Sequence, residues 1–331
     1  MVLRRERDQP ETDATPVALD PFKGDPEARA LSDTLAARDF ATATAIMAGP
    51  DPVRQQWLVR VAHGTRGLLD IIDDLLQTDP GSAMLLTVKG LAYVDWAWAA
   101  RGIGWADDQP GDAWATVRDR LRQAEDLVNE AVERDPAFIP ARTALITLAV
   151  ARSEPIEERL RRFEAAVAVD PWNVAAHRAM LAALTTKRGG SSEQLFAFAR
   201  ERASGAPGGH DLPVLIADAH TEEWLVRGRE DEYLEQPDVG DELVAAAQRS
   251  FLHPDYRYQH GLTPATWNAF AFPLSVADRF DHAAACFDRI GDTLVEESPW
   301  NLSGNVAQRY TTWRTYVTEH LAYRESVAAD G

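Results

Sequence analysis

One cysteine, three lysines and no long apolar run set the first limits on this chain of 331 residues. With Cys286 alone, no internal disulfide framework can form. A lone thiol on an apolar helical stripe reads as a small buried hydrophobe rather than a nucleophile. The longest clean apolar run, Thr143 to Ala151, is too short to cross a bilayer. No apolar stretch follows Arg4, Arg5 and Arg7, so no secretory signal is expected and the location reads as cytoplasmic. Positive charge is scarce too: 34 Lys and Arg stand against 52 Asp and Glu, a net charge of −18. That disfavours nucleic acid and anionic membrane as partners, because phosphate binding draws on a basic surface. The three lysines (Lys23, Lys89, Lys187) reflect a bias towards arginine and carry no functional weight. Strand patterning is also missing, since nothing alternates with period two for long enough.

What the chain does have is a repeated helix ending. Helix-like runs close at Asp135-Pro136 and at Asp170-Pro171, 35 residues apart, and an earlier one closes at Asp79-Pro80. A helix ending in proline, a short turn and another helix, repeated at about 34 residues, marks a helical-hairpin array. The expected fold is all-α: a disordered leader over 1–24, then a single α-solenoid over 25–331. Its parts are N-terminal helices (25–80), a best repeat-like region (81–206) and divergent C-terminal hairpins (207–331). The leader carries Pro10, Pro16 and Pro21 with many charges and no apolar periodicity.

Within the array, one helix is expected from Val53 to Leu76, weakened by Gly64 and Gly67. Ser82 should cap a helix to about Ala100, apolar on more than one side and so sandwiched between layers. Trp105 to Asp112 reads as a loop, making this hairpin about 20 residues longer than the usual repeat, as an insertion after its first helix. Phe138 to Ala151 should be helical and Ser153 should cap the next helix, whose stripe is Ile156, Leu160, Phe163 and Val167. Further helices are expected over 172–185, 191–202, 212–227, 241–252, 263–279, 281–290 and 305–323. Glu230, Asp231, Glu232, Glu235 and Asp238 form an acidic link.

The Asp-Pro endings, with Ala165 and Ala166 before the second, resemble tetratricopeptide repeats over about 80–205. Arg279-Phe280-Asp281-His282-Ala283-Ala284 with Phe287 is similar to the start of a second repeat helix. Thr147 stands near the position where the family places a small residue, which makes the hairpin at 137–171 a degenerate repeat. Ala100-Arg101-Gly102 with Trp105, and Arg188-Gly189-Gly190-Ser191, resemble an uncharacterised bacterial family of tetratricopeptide-like proteins, which implies a fold but no activity.

Several residue groups are candidate sites. Tyr93, Trp96, Trp98, Trp105 and Trp114 crowd together beside Arg101, and tryptophan and arginine often anchor interfaces. Large rings can equally fill the core of an irregular insertion. Lys187-Arg188-Gly189-Gly190-Ser191 could cradle an anion at a helix start, or simply end one helix and cap the next. Asp70, Asp73 and Asp74 would share a helical face, as in magnesium-dependent terpenoid-type enzymes, although the spacing differs and no second metal triad follows. His210, Asp211, Asp218, His220, Glu222 and Glu223 lack zinc-like spacing. No cofactor or metal is indicated.

The sequence therefore favours a non-catalytic scaffold that holds a peptide or protein partner in a groove lined by first helices. The partner would be neutral or basic, given the charge. Candidate contact residues are Tyr93, Arg101, Trp105, Arg142, His177, Arg178, Arg188 and His220. A small-molecule binder or enzyme using the aromatic insertion is the alternative. Self-association is compatible with open end hairpins, although Arg324 and Glu325 read as a polar cap.

Overall fold

Proline or aspartate stands at many helix starts among the described residues. Asp25 and Asp51 each precede a proline at the first helical position, and each carboxylate accepts hydrogen bonds from the free amides of the first turn. The computed structural model describes residues 14–49, 51–101, 111–258, 261–302 and 304–329, excluding the side chains of 100, 101 and 111–113. Among the described residues the protein is all-α, with no strand. Helices pack against their neighbours in two compact units, Asp25–Leu195 and Phe196–Gly331, the latter joined by the segment that ends at Gly24. A single array was expected from the sequence.

The first unit contains α1 (Pro26–Ala36), α2 (Phe40–Met47), α3 (Pro52–His63), α4 (Ile72–Thr78), α5 (Ala83–Arg101), α6 (Gly111–Arg134), α7 (Ile139–Ala151), α8 (Ile156–Val167) and α9 (Val174–Ala183). Its packing alternates. Helix α5 packs on α6, α6 on α7, α7 on α8 and α8 on α9, while α5 also touches α7, and α7 touches α9. The Asp-Pro pairs fasten the turns between these helices. Asp135 Oδ1 accepts from the Ala137 amide at 2.9 Å, and Asp170 Oδ1 from the Trp172 amide at 3.2 Å. Ser82 caps α5 as expected, its hydroxyl accepting from the Leu85 amide at 3.3 Å.

The α5–α6 hairpin is longer than a repeat mainly because its helices are long, at 19 and 24 residues. The expected insertion is thus largely extra helix, and only residues 102–110 separate the two. Gly90 lets the helices approach closely: a Cβ there would lie 2.5 Å from Val128 Cγ2 and 3.1 Å from the Ala124 carbonyl oxygen.

Three local expectations need correction. The helix expected over Val53 to Leu76 breaks, because Gly64 ends α3 and Gly67 adopts φ 74°, ahead of a 3-10 turn at Leu68–Asp70 and α4. Ser153 does not cap α8. It takes φ 57° just beyond α7, and α8 starts behind Pro155. The buried stripe of α8 is Arg159, Phe163 and Ala166, with Leu160 exposed. Arg159 can be buried because Nε donates to the Glu154 carbonyl, and Nη1 to the Ala183 and Arg188 carbonyls at 3.0 and 2.9 Å.

The boundary between the units falls within α10 (Ser192–Gly205). The second unit contains α11 (Val214–Val226), α12 (Asp231–Leu234), α13 (Pro237–Arg249), α14 (Thr263–Val276), α15 (Phe280–Ile290) and α16 (Val306–Ala329). Helix α14 is buried along its whole length and packs on α11, α13, α15 and α16. At its middle, the Asn268 amide is fully used. Nδ2 donates to the Pro264 and Leu294 carbonyls, and Oδ1 accepts from the Glu296 amide and the Trp300 indole.

The acidic link is not bare loop, because α12 lies within it and buries Tyr233 and Leu234. The leader expected to be disordered is partly placed. Val17 N–H donates to Thr311 Oγ1 at 3.2 Å, and the buried Lys23 ammonium donates to the Val295 carbonyl beside Glu296. Residues 1–13 lie outside the described residues.

Candidate functional site

On the first unit, α6, α7 and α8 enclose a cleft of about 270 Å³. Arg142 and Leu145 of α7 form part of it, α6 supplies Glu125, Asn129 and Val132, and α8 supplies Arg161, Arg162 and Ala165. Arg142 and Arg161 face the same space because α6 and α8 each pack on α7. Arg142 is half-buried, and its Nε donates to the Pro136 carbonyl at 2.7 Å. That bond orients the guanidinium, while Nη1 and Nη2 have no protein acceptor among the described residues.

The one acid of the lining, Glu125, and the neighbouring Glu158 are already engaged. Glu125 pairs with Arg162 and, at 2.6 Å, with Arg152. Glu158 receives Arg161 through both carboxylate oxygens at 2.7 Å and Arg162 at 2.7 Å. The Arg161 and Arg162 guanidinium groups hold the Glu158 carboxyl down to about 2, well below the usual carboxylate range. Arg162 is nearly buried and also donates to the Leu145 carbonyl, so it serves the helix packing. Arg161 is exposed, with 69% of its side-chain surface open.

The other sequence candidates do not converge on this cleft. Tyr93 is half-buried on α5, edge-on to Trp96 at 5.3 Å, with the Lys89 ammonium 5.7 Å from its ring. Trp96 is exposed, and Arg120 of α6 lies 3.6 Å above its ring while donating to its carbonyl at 2.7 Å. Arg120 is a member of this cluster that spacing along one helix could not reveal. Trp105 and the side chain of Arg101 lie outside the described residues. Arg178 is half-buried on α9.

His177 and His220, expected to be presented to a partner, are both buried. His177 sits edge-on to Phe163 at 5.0 Å, and its Nδ1 is 2.8 Å from the Asn173 carbonyl oxygen. It therefore packs α9 against α8. His220 belongs to the second unit, where Nδ1 bonds the Tyr233 hydroxyl at 2.7 Å and Nε2 bonds Glu242 at 3.1 Å. A proton on Nε2 satisfies both contacts, with the Tyr233 hydroxyl donating to Nδ1. Arg200 closes the chain with two bonds to Glu242 at 2.7 and 2.8 Å. Arg200 and then His220 hold the Glu242 carboxyl down to about 2, and burial pushes the Tyr233 hydroxyl up. This polar chain ties α10, α11, α12 and α13.

Arg188 is exposed in the turn that the Lys187-Arg188-Gly189-Gly190-Ser191 segment forms. Gly189 takes φ 88°, and the Ser191 hydroxyl accepts from the Gln194 amide at 3.2 Å, capping α10. Both features are those of a helix-to-helix turn. The aspartates diverge: Asp73 pairs with Lys89 at 2.6 Å and Asp74 with Arg38 at 3.0 Å, while Asp70 lies in the 3-10 turn before α4. Among the described residues, no group of three or more His, Cys, Asp or Glu is placed to hold a metal. No helix among them is long and apolar enough to cross a membrane. No protein-family model matches the chain, and a search of curated proteins gives no significant match.

Proposed function

We propose that the protein is a non-catalytic scaffold built from tetratricopeptide-like helical hairpins, which holds a peptide or protein segment against its first helices. The observation that carries this reading is the packing order of the first unit. Helices α5, α7 and α9 touch in succession, and α6 and α8 each pack between consecutive members of that series. A second series, α11, α14 and α16, alternates with α13 and α15 in the same way within its own unit. Stacks of this kind bury a continuous core and leave an extended face for binding. Of the half-buried candidates on the first helices of the first unit, Tyr93 and Arg178 lie outside the cleft that Arg142 lines.

The partner is a neutral or basic segment, because a net charge of −18 repels anionic chains at long range and favours cationic ones. The compartment in this reading is the cytoplasm, where a buried single thiol such as Cys286 needs no partner. The test is capture of the partner from the native cell, followed by binding of the purified partner to wild-type protein and to Arg178→Glu. The reading requires at least a tenfold loss, about 1.4 kcal/mol, with an unchanged thermal melt. If the melt of Arg178→Glu collapses, the position is structural, and Tyr93→Ala replaces it in the same assay.

A further inference from the structure

We infer that the cleft between α6 and α8 is a binding site for a small organic carboxylate with a short aliphatic body. The inference goes beyond the scaffold reading, since the cleft involves the second helices α6 and α8 rather than the face of the first helices. Its lining carries three guanidinium groups and one carboxylate, in a chain whose overall charge is −18. Glu125 and Glu158 take up Arg152, Arg161 and Arg162, so the local charge that runs against the global charge is that of Arg142. The single lining acid, Glu125, is neutralised by Arg152 and Arg162, so it does not oppose an incoming anion.

Arg142 supplies the recognition. Its Nε bond to the Pro136 carbonyl fixes the plane of the guanidinium, and its two Nη groups remain for an acceptor from outside the chain. A carboxylate matches that fork, because two parallel N–H donors meet its two oxygens. Arg161 stands exposed at the cleft as a second guanidinium, paired with Glu158 through both carboxylate oxygens. Val132, Leu145 and Ala165 give the cleft an aliphatic wall, which suits a carbon chain better than a fully hydrated inorganic ion. A volume of about 270 Å³ lies just below the range of about 300–1,000 Å³ usual for drug-sized ligands, so the ligand is small. The carboxylate can belong to a free diacid or to a glutamate side chain of another protein.

Isothermal titration of the full chain with glutarate, N-acetyl-glutamate amide and inorganic phosphate tests the assignment. Saturable glutarate binding with Kd below about 1 mM is expected, weakened at least tenfold by Arg142→Gln. Arg188→Gln, an exposed arginine in another turn, should leave binding unchanged. The capped glutamate binding as well as glutarate supports a protein side chain as the source, whereas binding of glutarate alone supports a free diacid. Helical circular dichroism and the melting midpoint of Arg142→Gln should match wild type; if they do not, Arg161→Gln, a surface change, takes its place in the titration. Three results overturn the inference: no saturable binding of either carboxylate, binding insensitive to both arginine variants, or phosphate binding tighter than glutarate. Loss of partner capture with glutarate binding intact would remove the scaffold reading and leave this site standing.

Discussion

Gly189 and Gly190 sit side by side but need to be glycine for different reasons. Gly189 adopts φ 88°, which costs other residues about 1–2 kcal/mol, whereas a Cβ on Gly190 would lie 2.0 Å from the Leu184 carbonyl oxygen. That neighbour is backbone and cannot swing away. Gly190→Ala is therefore expected to lose about 3 kcal/mol or more, and Gly189→Ala clearly less, in urea unfolding followed by circular dichroism. Equal losses would show that the turn relaxes as a whole. At Glu242 the pH dependence has a fixed sign. Its carboxyl falls from 4.5 to about 2 on folding, with Arg200 the first cause and His220 the second. The stabilisation is fully present above about pH 4.5 and disappears as pH falls towards 2. Glu242→Gln should lower the melting midpoint at pH 7, and its deficit against wild type should shrink between pH 4.5 and 3. A deficit constant across that window would mean that the carboxylate charge contributes nothing.

At the scale of elements, the α5–α6 hairpin depends on one close approach. Gly90→Ala places a methyl against Val128 Cγ2 at 2.5 Å and should destabilise by about 1–3 kcal/mol. Removing the opposing methyls in Gly90→Ala/Val128→Ala should cost less than the sum of the two single changes, a coupling that a double-mutant cycle in urea measures directly. Strict additivity would mean that the helices simply move apart. Helix boundaries were largely legible in the sequence because their causes are local: Ser82 and Ser191 as caps, and Asp-Pro at the turns. The break between α3 and α4 was missed because the glycines were weighed as weak spots within a helix, whereas Gly67 needs a left-handed turn. Arg159 was missed altogether. Its burial depends on carbonyls 24 and 29 residues away, and no pattern along α8 signals those acceptors.

For the whole molecule, the all-α class was legible from periodicity and punctuation, while the candidate site was legible only in part. Arg142 was picked out for a first-helix groove, yet it lines a cleft with the second helices α6 and α8. His177 and His220 were picked out as polar residues on otherwise apolar helices, and both are buried with hydrogen-bond partners. A sequence pattern can place a residue on a helix face, but which neighbour covers that face is settled by tertiary packing. The two units each carry an alternating series of helices, and this repetition is what favours a binding scaffold over a single catalytic centre. The direct measurement is affinity capture of the full chain from its native cell, with the eluate divided for protein and small-molecule mass spectrometry. A protein partner that rebinds in purified form and is released by Arg178→Glu is the predicted result. An eluate free of stoichiometric protein but carrying a bound metabolite would contradict the scaffold account.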